Sequence, residues 1–214
     1  MPRSSVTSLS IAAAPAPALR RFHHGNLRQA LIDAALAAPD IENLSLRQLA
    51  ASVGVTAPAA YRHFGSREEL LDEVARIGFE RLEARFAAAF DIAQPPADAA
   101  DARSRLQRLA QAYLALADDE PALWRLMFGA LAAAYRAGAR PVDRRNSYDY
   151  LPAALLGLHL SGVVARAPDE SDAFFAWSVI HGAATLRAGQ VNAALGSLAE
   201  LSSSLVARVI RALA

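Results

Sequence analysis

SLRQLAASVGVTAPAAYRHFGSREE, residues 45–69, sets three helix starts around one tight turn. Ser45 with Gln48 makes a Ser-x-x-Gln capping box, and Leu46, Leu49, Ala50 and Val53 follow as an inward stripe at helical spacing. Gly54 comes directly after the last apolar residue, where a helix end calls for a residue tolerant of positive φ. Thr56 is placed to cap the next helix, with Pro58 in its first turn, and the pattern predicts that helix through Phe64. On a 100° wheel Ala57, Ala60, Tyr61 and Phe64 share one side and Pro58, Ala59, Arg62 and His63 the other. Gly65 ends this helix, and Ser66 with Glu69 offers a second capping box for a long helix through Leu70, Leu71, Val74, Ile77 and Leu82. Helix, short glycine-containing turn, helix is the helix-turn-helix geometry, and Pro58, Ala59, Arg62 and His63 lie on what would be its groove side.

Working outward, SLRQLAASVGVTAPAAYRHFGSREELL resembles the N-terminal domain of TetR-type transcriptional regulators, and HHGNLRQALIDAAL, residues 23–36, is similar to that family's first helix. The resemblance spans about residues 22–90 and rests on the ordered set Leu46, Ala50, Gly54, Val55, Tyr61, His63, Phe64 and Leu70. It implies phosphate contacts from Tyr61, His63 and Arg67. The hydroxyls of Ser45 and Thr56, with the adjacent backbone N–H groups, are plausible additions by donor chemistry. For base readout, Arg47 and Arg62 have the planar fork that matches guanine O6 and N7, and Pro58 and Ala59 the apolar surface that meets a thymine methyl. The run Ala57-Pro58-Ala59-Ala60 allows close approach but offers no side-chain hydrogen bond, so direct readout rests on very few groups. Tyr61 and Phe64 are expected to be partly core, which leaves the phenol hydroxyl as the functional part of Tyr61. A cation at Arg67, in the first turn of a helix, is unfavourable for the dipole, and a phosphate partner would account for it.

Composition agrees. The 214 residues carry 54% hydrophobic side chains, largely Ala and Leu, which favours an all-α chain with a small reading domain and a larger helical body. There is no Cys, so disulfides and Cys-based zinc modules are excluded. A formal net charge of +1 rules out indiscriminate coating of nucleic acid, and binding must come from a local patch. Arg20, Arg21, Arg28, Arg47, Arg62 and Arg67, with His23, His24 and His63, supply one against Asp33, Asp40 and Glu42.

These signals divide the chain into a flexible arm (1–21), a helix-turn-helix domain (22–67), a connecting helix and linker (68–97) and a helical body (98–214). The arm, rich in Ser, Ala and Pro, has a competing reading as a secretory signal, since Arg3 precedes a short apolar run; its prolines speak against export. Arg20 and Arg21 either reach the DNA backbone or minor groove, or form a solvated pair. The linker DIAQPPADAAD (91–101) breaks the long helix at two prolines. Beyond it, Leu106, Leu109, Tyr113, Leu116 and Ala117 trace a stripe that Asp118-Asp119-Glu120-Pro121 interrupts. Trp124, Leu126, Met127, Phe128 and Leu131 form the next helix, 138–143 a loop, and 147–164 another helix, too short to cross a bilayer.

The last two helices, from Asp169 to Gln190 and from Ser197 with Glu200 as a third capping box, are the dimerisation candidates. WSVIHGAATL, with Trp177, His181 and Gly182, resembles a Trp-x-x-x-His-Gly signature in the effector domain of one branch of the TetR family. The resemblance implies an intermolecular four-helix bundle. Gly182, Ala183, Ala184 and Ser202, Ser203, Ser204 would permit close approach in it, with Leu198, Leu201, Leu205 and Val209 as the seam.

Tyr113, Trp124, Met127, Phe128, Tyr150, Phe174, Trp177 and His181 mix apolar surface with a few polar groups and are the candidate lining of a ligand pocket. An aromatic stripe at this spacing also suits a core. His181 reads as a hydrogen-bonded structural histidine, since no second His or carboxylate completes a metal site or triad. The expectation is a cytoplasmic homodimer without metal or cofactor that binds double-stranded operator DNA, has no membrane segment, and is a repressor released by a small, mainly apolar effector. The alternatives are an activator with the same DNA-binding domain, or an all-helical enzyme built around His159 or His181.

Overall fold

The computed structural model describes residues 26–129, 147–189 and 196–214. Among them are nine helices and no strand: α1 (Leu27–Leu36), α2 (Leu46–Ser52), α3 (Ala57–Tyr61), α4 (Arg67–Ala89), α5 (Ala99–Asp119), α6 (Pro121–Phe128), α7 (Ser147–Leu160), α8 (Glu170–Ala188) and α9 (Leu198–Leu213). The arm with Arg20, Arg21, His23 and His24, the 138–143 loop, Leu131 and Gln190 lie outside the described residues.

At the N-terminal end the helices start and stop where side chains satisfy their open amides and carbonyls. The Ser45–Gln48 capping box is complete. At the other end of α2, Gly54 takes φ +76°, which lets the Val55 N–H reach the Ala50 carbonyl (2.9 Å) and the Gly54 N–H the Ala51 carbonyl (3.1 Å). This Schellman closure turns the chain into α3. Two expectations need correction. Thr56 stands at the cap position of α3 without its hydroxyl bonding the helix, and α3 stops at Tyr61 rather than Phe64. The His63 and Phe64 N–H groups both turn back to the Ala60 carbonyl, which swings the Phe64 ring into the core. At α4 only half the second box forms: Ser66 accepts the Glu69 N–H, while the Glu69 carboxylate takes the Gly65 N–H (2.6 Å).

Leu31, Ile32, Leu46, Leu49, Ala60, Phe64, Leu70 and Val74 are all buried, so α1, α2, α3 and the first turns of α4 share one core. The Arg28 guanidinium lies 4.9 Å over the Phe64 ring and pairs with Glu73, tying α1 to α4.

In the body α5 is the central element, packed against α4, α7, α8 and α9. Asp98 caps it, Leu106, Leu109, Tyr113, Leu116 and Ala117 are all buried, and the linker is fastened to it. The Arg105 guanidinium donates to the Gln94 (2.6 Å) and Pro95 (3.0 Å) carbonyls, and Arg108 to the last α4 carbonyl, at Ala89 (2.7 Å). The acidic run that ends α5 and leads into α6 faces three arginines: Asp118 takes Arg187 of α8, Asp119 takes Arg85 and Glu120 takes Arg81, both of α4. Midway along α4, a Cβ on Gly78 would sit 2.5 Å from the Met127 sulfur, so the absence of a side chain is what allows α6 to lie against α4. The α7 helix ends at Leu160, short of the expected Val164, because the Val163 N–H returns to the Leu158 carbonyl across Gly162.

The last two helices start at the expected positions: Ser197 with Glu200 closes the expected capping box, and Asp169 with Asp172 closes a further one that was not read from the sequence. Their outward faces differ from the expected seam. Val209 and Ala184 are buried within the protomer, and Ser202 is buried accepting from Gln107 (2.8 Å). Leu198, Leu201, Leu205 and Ala183 are half-buried, Ser203 and Ser204 are exposed, and Gly182 faces open space. None of the helices in the described residues is long and apolar enough to cross a membrane.

Candidate nucleic-acid interface and internal cavity

The turn between α2 and α3 presents one face on which Arg47, Thr56, Pro58, Tyr61, Arg62 and His63 are exposed and Ala59 is half-buried. The side chains of Arg47, Arg62 and His63 make no hydrogen bond or ion pair among the described residues, so their donors point to solvent. Tyr61 departs from its expected half-core position: it is 53% exposed, because α3 is too short to fold the ring under itself. Small side chains at Ala57, Pro58 and Ala59 leave α3 with a low profile between these longer groups.

Two of the expected phosphate contacts are engaged elsewhere. The Arg67 guanidinium donates through Nε to the Leu44 carbonyl (2.7 Å) and through Nη2 to the Glu42 carbonyl, and lies near Glu68. Its fork clamps the α1–α2 connection onto the start of α4, which explains a cation in a first helical turn without a phosphate. The Ser45 hydroxyl accepts from the Gln48 amide and donates to the Gln48 side chain (2.7 Å). Behind the face, Glu73 accepts from Arg76 and Arg28. The bonded Arg76 guanidinium first, and Arg28 second, hold its carboxyl down to about 2 against the opposing effect of burial.

Inside the body lies a cavity of about 720 Å³. Phe79, Leu82 and Phe86 of α4 form one wall, Leu109, Ala110 and Tyr113 of α5 the next, and Phe128 closes the α6 side. Tyr148, Leu151 and Pro152 of α7 and Ala173, Phe174, Trp177 and Ile180 of α8 complete it, with Ser147, Glu170 and Ser171 also on its lining.

Of the expected lining, Tyr113, Phe128, Phe174 and Trp177 line it and the other four do not. Trp124 and Met127 are core: Trp124 packs on Phe128 (4.5 Å between ring centroids) and Tyr113 (4.8 Å), and Met127 fills the space at Gly78. Tyr150 turns instead to Phe86 and Phe90, 5.6 Å from each. His181 sits one layer back, stacked on Trp177 with its Nδ1 2.9 Å from the Tyr113 hydroxyl.

Trp177, Tyr113 and His181 satisfy one another in that layer, while the buried Trp124 indole N–H beside them has no hydrogen-bond partner among the described residues. Trp177 donates its indole N–H to the Tyr113 oxygen (3.2 Å), which leaves the phenol hydrogen for His181 Nδ1. The imidazole hydrogen then belongs on Nε2, towards the Thr185 hydroxyl (3.4 Å). Burial pushes the Tyr113 phenol well above its ordinary range, with the Trp177 bond opposing, so the group stays a neutral wall. His181 is hydrogen-bonded to Tyr113 in this layer and is not on the described lining.

Sequence reasoning missed Phe79 and Phe86. The signal was present, since Phe79, Leu82 and Phe86 recur at helical spacing, but on a helix assigned wholly to connection. No group of three His, Asp or Glu side chains among the described residues is placed to hold a metal ion.

Residues 31–74 match the sequence family described as bacterial regulatory proteins, tetR family, and residues 106–213 match the tetracyclin repressor-like C-terminal domain family. The fold is similar to that of a protein of unknown function from Rhodococcus sp. RHA1, with 29% identity, a TM-score of 0.66, and 91% of this chain and 98% of that one covered. It is also similar to the TetR family transcriptional regulator PfmR from Thermus thermophilus (20% identity, 86% and 97% covered, TM-score 0.61). The ketosteroid transcriptional regulator KstR2 of Mycobacterium tuberculosis shares the fold as well (16%, 89% and 96%, TM-score 0.54). No curated protein matches the sequence.

Proposed function

The chain belongs to the TetR family of transcriptional regulators, with the family's DNA-binding domain at its N-terminus, and from that premise we propose a homodimeric repressor released from operator DNA by a small molecule in the cavity. The observation that carries the release mechanism is the span of α4, which at Arg67 is clamped to the α1–α2 connection leading into the reading unit and farther along walls the cavity with Phe79, Leu82 and Phe86. A ligand that displaces those side chains shifts the helix on which the reading unit is clamped. In a dimer, such a shift changes the spacing of two reading helices that must match half-sites about one helical turn of DNA apart.

On the DNA side, the free donors of Arg47 and Arg62 are the base-reading groups, Pro58 and Ala59 the methyl contacts, and Tyr61, His63 and Thr56 the phosphate contacts. The Arg67 clamp and the capped Ser45 serve the domain's shape. Residues 22–67 form the reading unit, 68–97 the connection and 98–214 the effector and dimer unit, acting in the cytoplasm. The half-buried Leu198, Leu201 and Leu205 beside the open Gly182 support pairing through α8 and α9. Catalysis has less support, since His159 faces the Val164 carbonyl (3.3 Å) and His181 is engaged with Tyr113.

Selecting and sequencing genomic fragments bound by the purified protein tests the DNA assignment: a palindromic motif is expected, and no enrichment over random fragments overturns it. Arg62→Ala is then expected to cost about 1–3 kcal/mol and relax one base position. Equal weakening on every sequence reassigns Arg62 to a phosphate.

A further inference from the structure

We infer that the cavity selects ring-bearing molecules with a cationic end, held with the ring body among the aromatic walls and the charge beside Glu170. The inference rests on the effector reading above and adds the chemical class of the ligand. The deep part of the cavity presents π faces and hydrocarbon. The Tyr113 hydroxyl there is engaged on both sides by Trp177 and His181, so it has little to offer an incoming polar group. A ligand's polar end therefore belongs at the mouth, where Phe174 is 66% exposed and Glu170 stands in the first turn of α8.

Glu170 is the single ionised side chain on the described lining, and no Arg joins it there. Its carboxylate makes no ion pair among the described residues. A carboxylate in a first helical turn commonly serves the helix itself, but here Asp169 caps α8 and Asp172 closes the box, so Glu170 is surplus to that task. A cation gains from both the carboxylate and the ring faces of Trp177 and Phe174. An anion meets the same carboxylate with no positive side chain on the described lining to offset it.

The test uses the full-length protein with three probes of one body: pyrenemethyl-trimethylammonium, 1-pyrenemethanol and 1-pyrenecarboxylate. Binding is read by energy transfer to pyrene from Trp177, on the wall, and Trp124, one ring behind. The ammonium probe is expected to bind about tenfold more tightly than the carboxylate, with the alcohol between. Glu170→Gln should bring the three within about threefold while leaving the alcohol unchanged. Carboxylate binding equal to or tighter than ammonium, an order that survives Glu170→Gln, or no binding of any probe each overturns the inference. Adding the ammonium probe to the protein on a selected DNA fragment separates the two readings. Tight binding without DNA release leaves the ligand class standing and removes the release mechanism. Release by other small molecules while the three probes fail does the reverse.

Discussion

The reading end and the body of this chain use the same side chains in opposite ways. In the body, Arg81, Arg85, Arg105, Arg108, Arg166 and Arg187 are each spent on a carboxylate or a carbonyl of the protein itself. On the α2–α3 face, Arg47 and Arg62 have no partner among the described residues, and Tyr61, unlike the buried Tyr113 and Tyr150, stands in solvent. Freedom alone does not mark a contact, since Arg103, Arg208 and Arg211 are also exposed. What distinguishes the reading face is free donors gathered around one low-profile helix. Arg67 shows the difference from the other side: it belongs to the reading end by position and to the body's habit by its bonds.

That contrast breaks most sharply with Phe64→Ala, where the loss of a fully buried ring beneath α3 should cost about 3–5 kcal/mol in chemical denaturation, while Tyr61→Ala leaves the unfolding midpoint in place and weakens DNA binding. An equal loss of stability in both variants would erase the distinction between the outer aromatic that ends α3 and the inner one just beyond it. Arg67→Ala should lower stability by about 1–3 kcal/mol, because two carbonyls lose their donors. The salt slope of DNA binding should be unaltered; a shallower slope would restore Arg67 to the phosphate contacts. In the body, Tyr113→Phe should cost a similar 1–3 kcal/mol, roughly, by orphaning the Trp177 N–H and His181 Nδ1 together. A neutral result in thermal unfolding would mean the layer behind the cavity is held by ring packing alone. The smallest effect concerns Glu73. Its carboxyl is depressed in the folded state to about 2, so its contribution is complete above the ordinary carboxylate range and is lost as pH falls from about 4.5 towards 2. Glu73→Gln should therefore narrow its stability gap from the parent over that window, and a gap constant with pH would show the Arg28 and Arg76 pairing to be energetically idle.

What was legible in the sequence was local. Capping boxes at Ser45 and Ser197, the turn at Gly54 and the α5 stripe each depend on residues within a few positions of one another, and each formed as read. The assignments that shifted depend on distant partners. Arg67 met carbonyls more than twenty residues upstream, Ser202 met Gln107 and Val209 the body core, Met127 was drawn away from the cavity by the close approach at Gly78, and Trp124 packed into the core against Tyr113 and Phe128. The cavity was half legible for the same reason: the aromatic residues of α5, α6 and α8 announced it, but α4 had to be seen lying across them before Phe79 and Phe86 counted as wall.

The contact between Gly78 and Met127 gives α4 a fulcrum. At about 1.5 Å of rise per residue, the arm from Gly78 to Phe86 is roughly 12 Å and the arm from Gly78 to Arg67 roughly 16 Å. If the helix tilts there as a rigid rod, a push of about 1 Å at Phe86 arrives at Arg67 as a swing of roughly 1.4 Å in the opposite direction. The mechanical advantage is small, and its usefulness lies in the reversal. In the release mechanism proposed above, a guest that widened the cavity on one side would draw the clamped end of α4 towards the other.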